Sequence, residues 1–451
     1  MYLPYQWLLR TLNYINPPME HARNAINTSS NQTKLLELIQ FRDFQNVEMC
    51  DSDNQDLNLW IGDFLKQRRF SKYELELMGS SCKGDGYLGE VTFVKVLTGI
   101  GREEEKIYNL VVKSSKKSKE LRRQTPIKEV FEREMFMYSK VFPAFKRFQM
   151  EQNVERPFMK FAKCYSVFNE NEKEAIILQN LKYLEYDIHD RKKPQNLDHV
   201  LLVFKNYGKF HALSLALKRL RPQTFAELTE NMSDLLAKFV TQSGMITKMS
   251  DDFRETLELL KTEESYSKLK HFHQELIEKS LHKRAKPSDG VSVILHGDCW
   301  NNNMMFCYQK SKNKPSDMMF LDFQLSSLGS PIYDLSYYLY AVADEAVLKY
   351  HDLLMQTYHH SLMSSLEELG VDSFQITLED LKRHWKEYGC FGMIIAPFIL
   401  KIELSEEDEI ADIATSAEIG DIAATFVLEL KNKEEYNRRI IDVFRHYASV
   451  L

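Results

Sequence analysis

The chain has 451 residues, 44% of them hydrophobic and 27% charged, with a net charge of −6. That balance fits a globular protein of two or three packed units and gives no reason to expect a nucleic-acid surface. Its six cysteines (Cys50, Cys82, Cys164, Cys299, Cys307 and Cys390) contain no CxxC pair, so free thiols in a reducing, cytoplasmic setting are a simpler reading than a disulfide framework or a zinc knuckle.

In chain order, "MYLPYQWLLRTLNYI" lacks the basic start and small-residue cleavage site of a signal peptide. Residues 16–56 are rich in Asn, Gln, Ser and Asp, and residues 1–56 are set aside as an N-terminal extension. "LNLWIGDFLK" then begins a helical pattern. From Lys72 to Val112, "YELELMG", "EVTFVKVLTGI" and "KIYNLVVK" are short runs of β-formers broken by glycines, which predicts an antiparallel sheet. "TPIKEVFEREMFMYSKVFPAF" predicts a helix with Thr125 as N-cap and Pro126 at the first helical position. Its apolar stripe is Val130, Phe131, Met135, Tyr138 and Val141 or Phe142. "FAKCYSVF" and "EAIILQNL" predict two more strands, and after residue 195 the chain is mostly helical apart from "VSVILHGD" and "MMFLDFQ". "CFGMIIAPFIL" holds a proline and is too short to span a bilayer, so it predicts a buried helix and no membrane insertion.

The polar groups with chemistry in them fall at the ends of these runs. If "VSVIL" is a strand, Asp298 lies just past its end in a turn that Gly297 permits. Asn303 follows five residues later, and Asp322 ends the second apolar strand, "MMFL". Pairing of those two strands would bring two carboxylates and an amide to one edge, a set of hard oxygen donors suited to Mg²⁺ carrying phosphates. The D-x-x-x-x-N spacing is common by itself, and a loop-and-turn cluster explains it equally well. The first half of the chain adds an independent set. "KGDGYLGEVTFVKV" places Gly84, Gly86 and Gly89 before a strand, Lys113 ends "YNLVVK", and Glu134 lies in the next helix. Lys116, Lys117 and Lys119 read as solvated charge.

With "KGDGYLGE", "LVVKSS", "FEREMFMY", "KFHALSLALK", "HGDCWNNNMMF" and "LDFQLSSLGSPIYDLSYYL" in this order, the chain resembles the ecdysteroid kinase-like (CHK kinase-like) family of insects over roughly residues 58–430. That family stands with choline kinases and aminoglycoside phosphotransferases. The resemblance implies an α+β, two-lobed protein-kinase-like fold. Its β-rich, ATP-binding N-lobe would span residues 57–181, and its mainly helical catalytic C-lobe residues 182–451. It also implies roles: Asp298 as catalytic base, Asn303 and Asp322 as Mg²⁺ ligands, and Lys113 on the ATP phosphates, paired with Glu134. Gly84, Gly86 and Gly89 would cover the phosphates, and Gln179 to Leu181 would form the hinge that meets adenine. Gln179-Asn180 stands where the family commonly has an acidic pair, but adenine is read there by backbone groups. His296 would shape the catalytic turn, His211, Trp300 and Cys299 would pack, and Asp334 would cap a helix or brace the loop.

Only twelve positions separate Asp322 from Asp334, no "APE" follows, and Gly297 replaces the arginine that reads a loop phosphate in protein kinases. Phosphorylation gating is therefore not expected, and the acceptor would be a small-molecule hydroxyl. An apolar wall from "FGMIIAPFIL" suits a steroid or a lipophilic xenobiotic, and the family resemblance implies an ecdysteroid hydroxyl or a detoxified alcohol or phenol as acceptor. A monomer is the working expectation. Two other classes remain: a degenerate kinase-like protein that only binds a ligand, and a metal-dependent phosphohydrolase using Asp298 and Asp322.

Overall fold

Side-chain alternation along one strand organises the first half of the molecule. In the computed structural model, which describes residues 51–81, 87–99, 105–272, 280–281, 291–309, 311, 313–373, 376–426 and 429–451, strands β1 (Tyr73–Ser80), β2 (Gly89–Thr98), β3 (Lys106–Ser115), β4 (Cys164–Phe168) and β5 (Ala175–Gln179) form an antiparallel sheet ordered β1-β2-β3-β5-β4. Leu110 and Val112 of β3 face α1 (Asp51–Gln67), whose Leu57, Trp60, Ile61, Phe64 and Leu65 complete a separate core there. The strand period of two therefore turns Val111 and Lys113 to the opposite face, towards α3 (Ile127–Phe136). Gly89 starts β2 where a Cβ would meet Phe131 Cζ at 3.0 Å and Ser114 O at 3.1 Å, a close approach that favours glycine.

Thr125 does not cap the helix that follows. It closes α2 (Lys119–Gln124), its hydroxyl donating to Leu121 O at 2.7 Å, and Pro126 is the residue before α3. The predicted apolar stripe is buried throughout. The helix runs on through a π turn (Met137–Val141) into α4 (Phe142–Glu151). Pro143 has no amide to donate, and the wider turn just ahead of it absorbs the missing bond.

The remainder is mostly helical. α5 (Leu197–Leu220), α6 (Ile332–Val342), α7 (His351–Glu368), α8 (Cys390–Leu404), α9 (Ile413–Glu418) and α10 (Lys433–Val450) carry the larger core, with "CFGMIIAPFIL" buried in α8 as predicted. Among the described residues no helix is long and apolar enough to cross a membrane.

Two small sheets lie in this half, and they correct one expectation. β7 (Val293–Ile294) pairs with β10 (Leu328–Gly329), while β8 (Met304–Cys307) pairs with β6 (Tyr186–Ile188) and β9 (Asp317–Phe320). The apolar segments ending at Asp298 and at Asp322 thus do not pair with each other. Gly297, at φ +88°, and the 3-10 turn Asn301–Asn303 redirect the chain between them.

The chain also closes on itself late. Lys116 pairs with Asp412 at 3.2 Å, Gln124 Nε2 donates to Ala417 O at 2.7 Å, and Tyr87 packs on Phe426 with ring centroids 4.9 Å apart. Phe426 in turn packs on Phe398 of α8 at 5.0 Å. Lys117 pairs with Asp56 at 2.7 Å and stays exposed, as the sequence suggested, whereas Lys116 is largely covered by its pairing and is not a freely solvated charge.

Candidate active site

Lys113 Nζ lies 2.7 Å from Glu134 Oε2 and 2.6 Å from Asp322 Oδ1, joining β3, α3 and the segment after β9. Burial works against the ammonium, but Asp322 and Glu134 outweigh it and hold Lys113 protonated, above the ordinary lysine range. Burial raises the Glu134 carboxyl, Lys113 opposes the rise, and Asp322 adds to it. Asp322 takes a left-handed backbone, φ +58°, uncommon outside glycine. Its Oδ1 is buried with no aligned hydrogen-bond donor, so the Lys113 charge alone meets it.

Asp298 is partly buried and hydrogen-bonded on both oxygens. Asn303 Nδ2 donates to Oδ2 at 2.9 Å and to the Asp298 carbonyl at 3.0 Å, and the Tyr337 hydroxyl donates to Oδ1 at 3.2 Å. Burial and then the Asp322 charge push the Asp298 carboxyl up to about 7, against the pull of Tyr337, Asn303 and Lys113. An affinity for protons matched to neutral pH is what general-base chemistry would need at this position. Two carboxylates close enough to repel and an amide form a donor set that suits a hard divalent cation. Among the described residues no three His, Cys, Asp or Glu side chains make a closed metal site. A cation here would draw its remaining ligands from outside the chain, as Mg²⁺ does from phosphates.

The turn carrying Asp298 is heavily braced. Asp334 in α6 accepts from the amides of His296 and Gly297 at 2.7 and 3.0 Å, from Cys299 Sγ at 3.2 Å, and meets His211 Nε2 at 3.2 Å. Burial alone would raise its carboxyl, yet these partners hold it below the usual range. His296 donates from Nε2 to Leu321 O at 2.8 Å and accepts the Asp298 amide on Nδ1 at 3.2 Å. One neutral imidazole, kept so by burial, thereby sets Asp298 against the segment holding Asp322. Cys299 and Trp300 are buried, and burial pushes the Cys299 thiol well up. Ser214 of α5 holds the Ile294 amide at 3.0 Å.

Gln179 ends β5, and its amide bonds Lys163 O at 2.9 Å. The Asn180 amide bonds Asn109 O at 3.0 Å, and Leu181 opens the 3-10 turn Leu181–Leu184. Gly84 and Gly86 lie outside the described residues.

Three contributors carry no sequence signal of their own. Tyr337 is one apolar position within a buried helix. Asn301, one of three consecutive asparagines in the turn after Asp298, is buried: its Nδ2 donates to His189 O at 2.6 Å, its Oδ1 accepts from Gln195 at 2.8 Å, and its amide reaches Glu403 at 3.2 Å. Glu403, in α8, has its carboxyl pushed up to about 7 by burial, with Arg439 opposing. Each contact joins residues more than thirty positions apart, beyond the reach of local pattern.

No curated protein matches the chain at a significant level. Among solved structures it is similar to aminoglycoside 2'-phosphotransferase-IIIa in its GDP complex. The two share 10% identity and a TM-score of 0.37 over 87% of this chain and 98% of that one, a likeness too loose to assign residues. The sequence profile of the ecdysteroid kinase-like family matches residues 83–371, well over half of the length, and the chain belongs to that family.

Proposed function

We propose that this protein is an ATP- and Mg²⁺-dependent small-molecule kinase that transfers the γ-phosphoryl group to a hydroxyl of a lipophilic acceptor, such as an ecdysteroid or a xenobiotic alcohol or phenol. The observation that carries the reading is the meeting of Lys113 with Glu134 and Asp322. A phosphohydrolase would need neither the strand lysine nor its glutamate.

In this reading Asp298 orients the acceptor hydroxyl and takes its proton. The acceptor oxygen forms its bond to the γ-phosphorus as the bond to the β–γ bridging oxygen breaks and ADP leaves. Lys113 offsets charge on the phosphates. Asn303 and Asp322 would hold Mg²⁺, which when bound neutralises charge across the phosphate oxygens. With the Gln179 and Asn180 amides bonded within the sheet, the Leu181 amide, outside its turn's own hydrogen bonding, is the hinge donor for adenine. Support for an apolar acceptor comes from Tyr337, whose hydroxyl touches Asp298 while its ring meets Phe391 of α8 edge-on at 6.0 Å.

The test is ATP-dependent phosphorylation of a panel of steroids, alcohols and phenols by wild type and by Asp298→Asn. Acceptor-dependent turnover is expected for wild type, with loss of about 100-fold or more in the variant. If the two match at background across a broad panel, the enzyme reading fails. Thermal stabilisation by ATP without transfer would indicate a ligand-binding protein, and no stabilisation would remove nucleotide binding altogether.

A further inference from the structure

Glu134 can meet Lys113 only if α3 holds its place against the helical half, and the residue beside it carries a buried guanidinium. Arg133 is 7% exposed. Its Nη1 donates to Ser233 O at 3.1 Å and to Ser326 O, and its Nη2 donates to Asn231 O at 2.9 Å. Ser326 lies four residues beyond Asp322, and its hydroxyl donates to His296 O at 3.3 Å. A single side chain therefore ties the Glu134 helix to the 231–233 loop, to the segment leaving Asp322, and through Ser326 to the turn that carries Asp298.

We propose that Arg133 is a positioning residue that keeps the nucleotide-phosphate site permanently assembled, holding Glu134 on Lys113 without any covalent modification. Three carbonyl oxygens from two segments need donors diverging in one plane, which a guanidinium provides and an ammonium does not. Burial pulls the guanidinium down to about 10, with Asp234 and Glu129 opposing, so it remains charged at neutral pH. The nearby Glu129–Lys238 pair is half exposed and adds little to this junction. Other kinase-type sites can bring such a helix into place on demand. Here its anchor is backbone, which no phosphatase or kinase can remove.

This inference rests on the functional reading above, and the experiment separates the two. Affinity for ATP with Mg²⁺, together with turnover, is measured for wild type, Arg133→Lys, Glu134→Gln and the double variant. Arg133→Lys is expected to weaken ATP binding about tenfold or more, with the KM of the acceptor unchanged. The double variant is expected to be scarcely worse than Glu134→Gln, because both act on one contact. Lys238→Met should bind ATP as wild type does. A merely structural role would lower melting temperature while leaving ATP affinity alone, or would give additive losses, and either result overturns the proposal. A second readout needs no variant. Amide exchange over residues 127–136 is expected to be equally protected with and without a non-hydrolysable ATP analogue. A gain of more than about tenfold on adding it would show a helix assembled by the ligand and sink the idea. If wild type binds no ATP, the functional reading itself falls, and this inference with it.

Discussion

Asp322 shows how a single residue is fixed by backbone as well as by charge. At φ +58° an aspartate or asparagine is tolerated, whereas a β-branched residue incurs about 1–2 kcal/mol of strain. Asp322→Asn is therefore expected to melt close to wild type while losing about 100-fold or more in turnover. Asp322→Val should lose turnover and also melt measurably lower. Differential scanning fluorimetry beside a kinase assay distinguishes them, and equal melting of the two variants would contradict the strain argument. Tyr337 makes the complementary case. Burial, and then the charge on Asp298, keep its hydroxyl protonated and donating. Removing a hydrogen bond to a charged group costs about 1.5–3 kcal/mol, so Tyr337→Phe is expected to lower kcat about 10- to 100-fold. The KM for ATP should stay put, and a change confined to that KM would place Tyr337 elsewhere in the mechanism.

Among the elements, α7 and α10 meet through two histidines that titrate only with difficulty. His351 and His446 stack edge-on at 5.0 Å, and His446 Nδ1 meets the Tyr340 hydroxyl at 3.0 Å. Burial pulls His351 down to about 4 and His446 to about 3. An unfolded histidine takes its proton near pH 6.5, before either folded one does. Their contribution is thus complete above that pH and is lost as pH falls towards 4, at about 2 kcal/mol per histidine between pH 7 and pH 5. Glu403 acts in the opposite sense: with its pKa raised to about 7, it weakens the fold as pH rises from the ordinary carboxyl range towards neutral. The comparison of variants is therefore the informative measurement. His351→Phe is expected to remove about 2 kcal/mol of the pH 7-to-5 dependence in urea unfolding. An unchanged slope would mean that His351 ionises freely in the fold. The same scale shows what the sequence discloses. The buried stripe of α3, the order of strand lysine and helix glutamate, and the His-Gly-Asp turn follow from periods of two and 3.6 and from one glycine. The partner of β7, the true cap at Thr125, the pairs of Lys116 and Lys117, and the burial of Asn301 do not. Each depends on a contact supplied by a remote segment, or on a short helix ahead of α3 that no hydrophobic period announces.

For the whole molecule, the telling contact is the return of residues 412–426 to α2 and to Tyr87. Phe426 is 3% exposed and stands between Tyr87 and Phe398. Phe426→Ala is expected to destabilise the protein by about 3–5 kcal/mol. It should also quicken amide exchange in β2 next to Tyr87, and exchange confined to residues 398–426 would mean the two halves are not coupled there. Lys116 and Asp412 are 296 positions apart, and Gln124 and Ala417 are 293. At about 5–20 residues per second of synthesis, the sheet bearing Lys113 waits roughly 15–60 s for the segment that completes it. For that interval the nascent chain carries the proposed ATP site half-built, without Phe426 against Tyr87, and its safety on the ribosome depends on how well α1 and α3 alone shield the sheet.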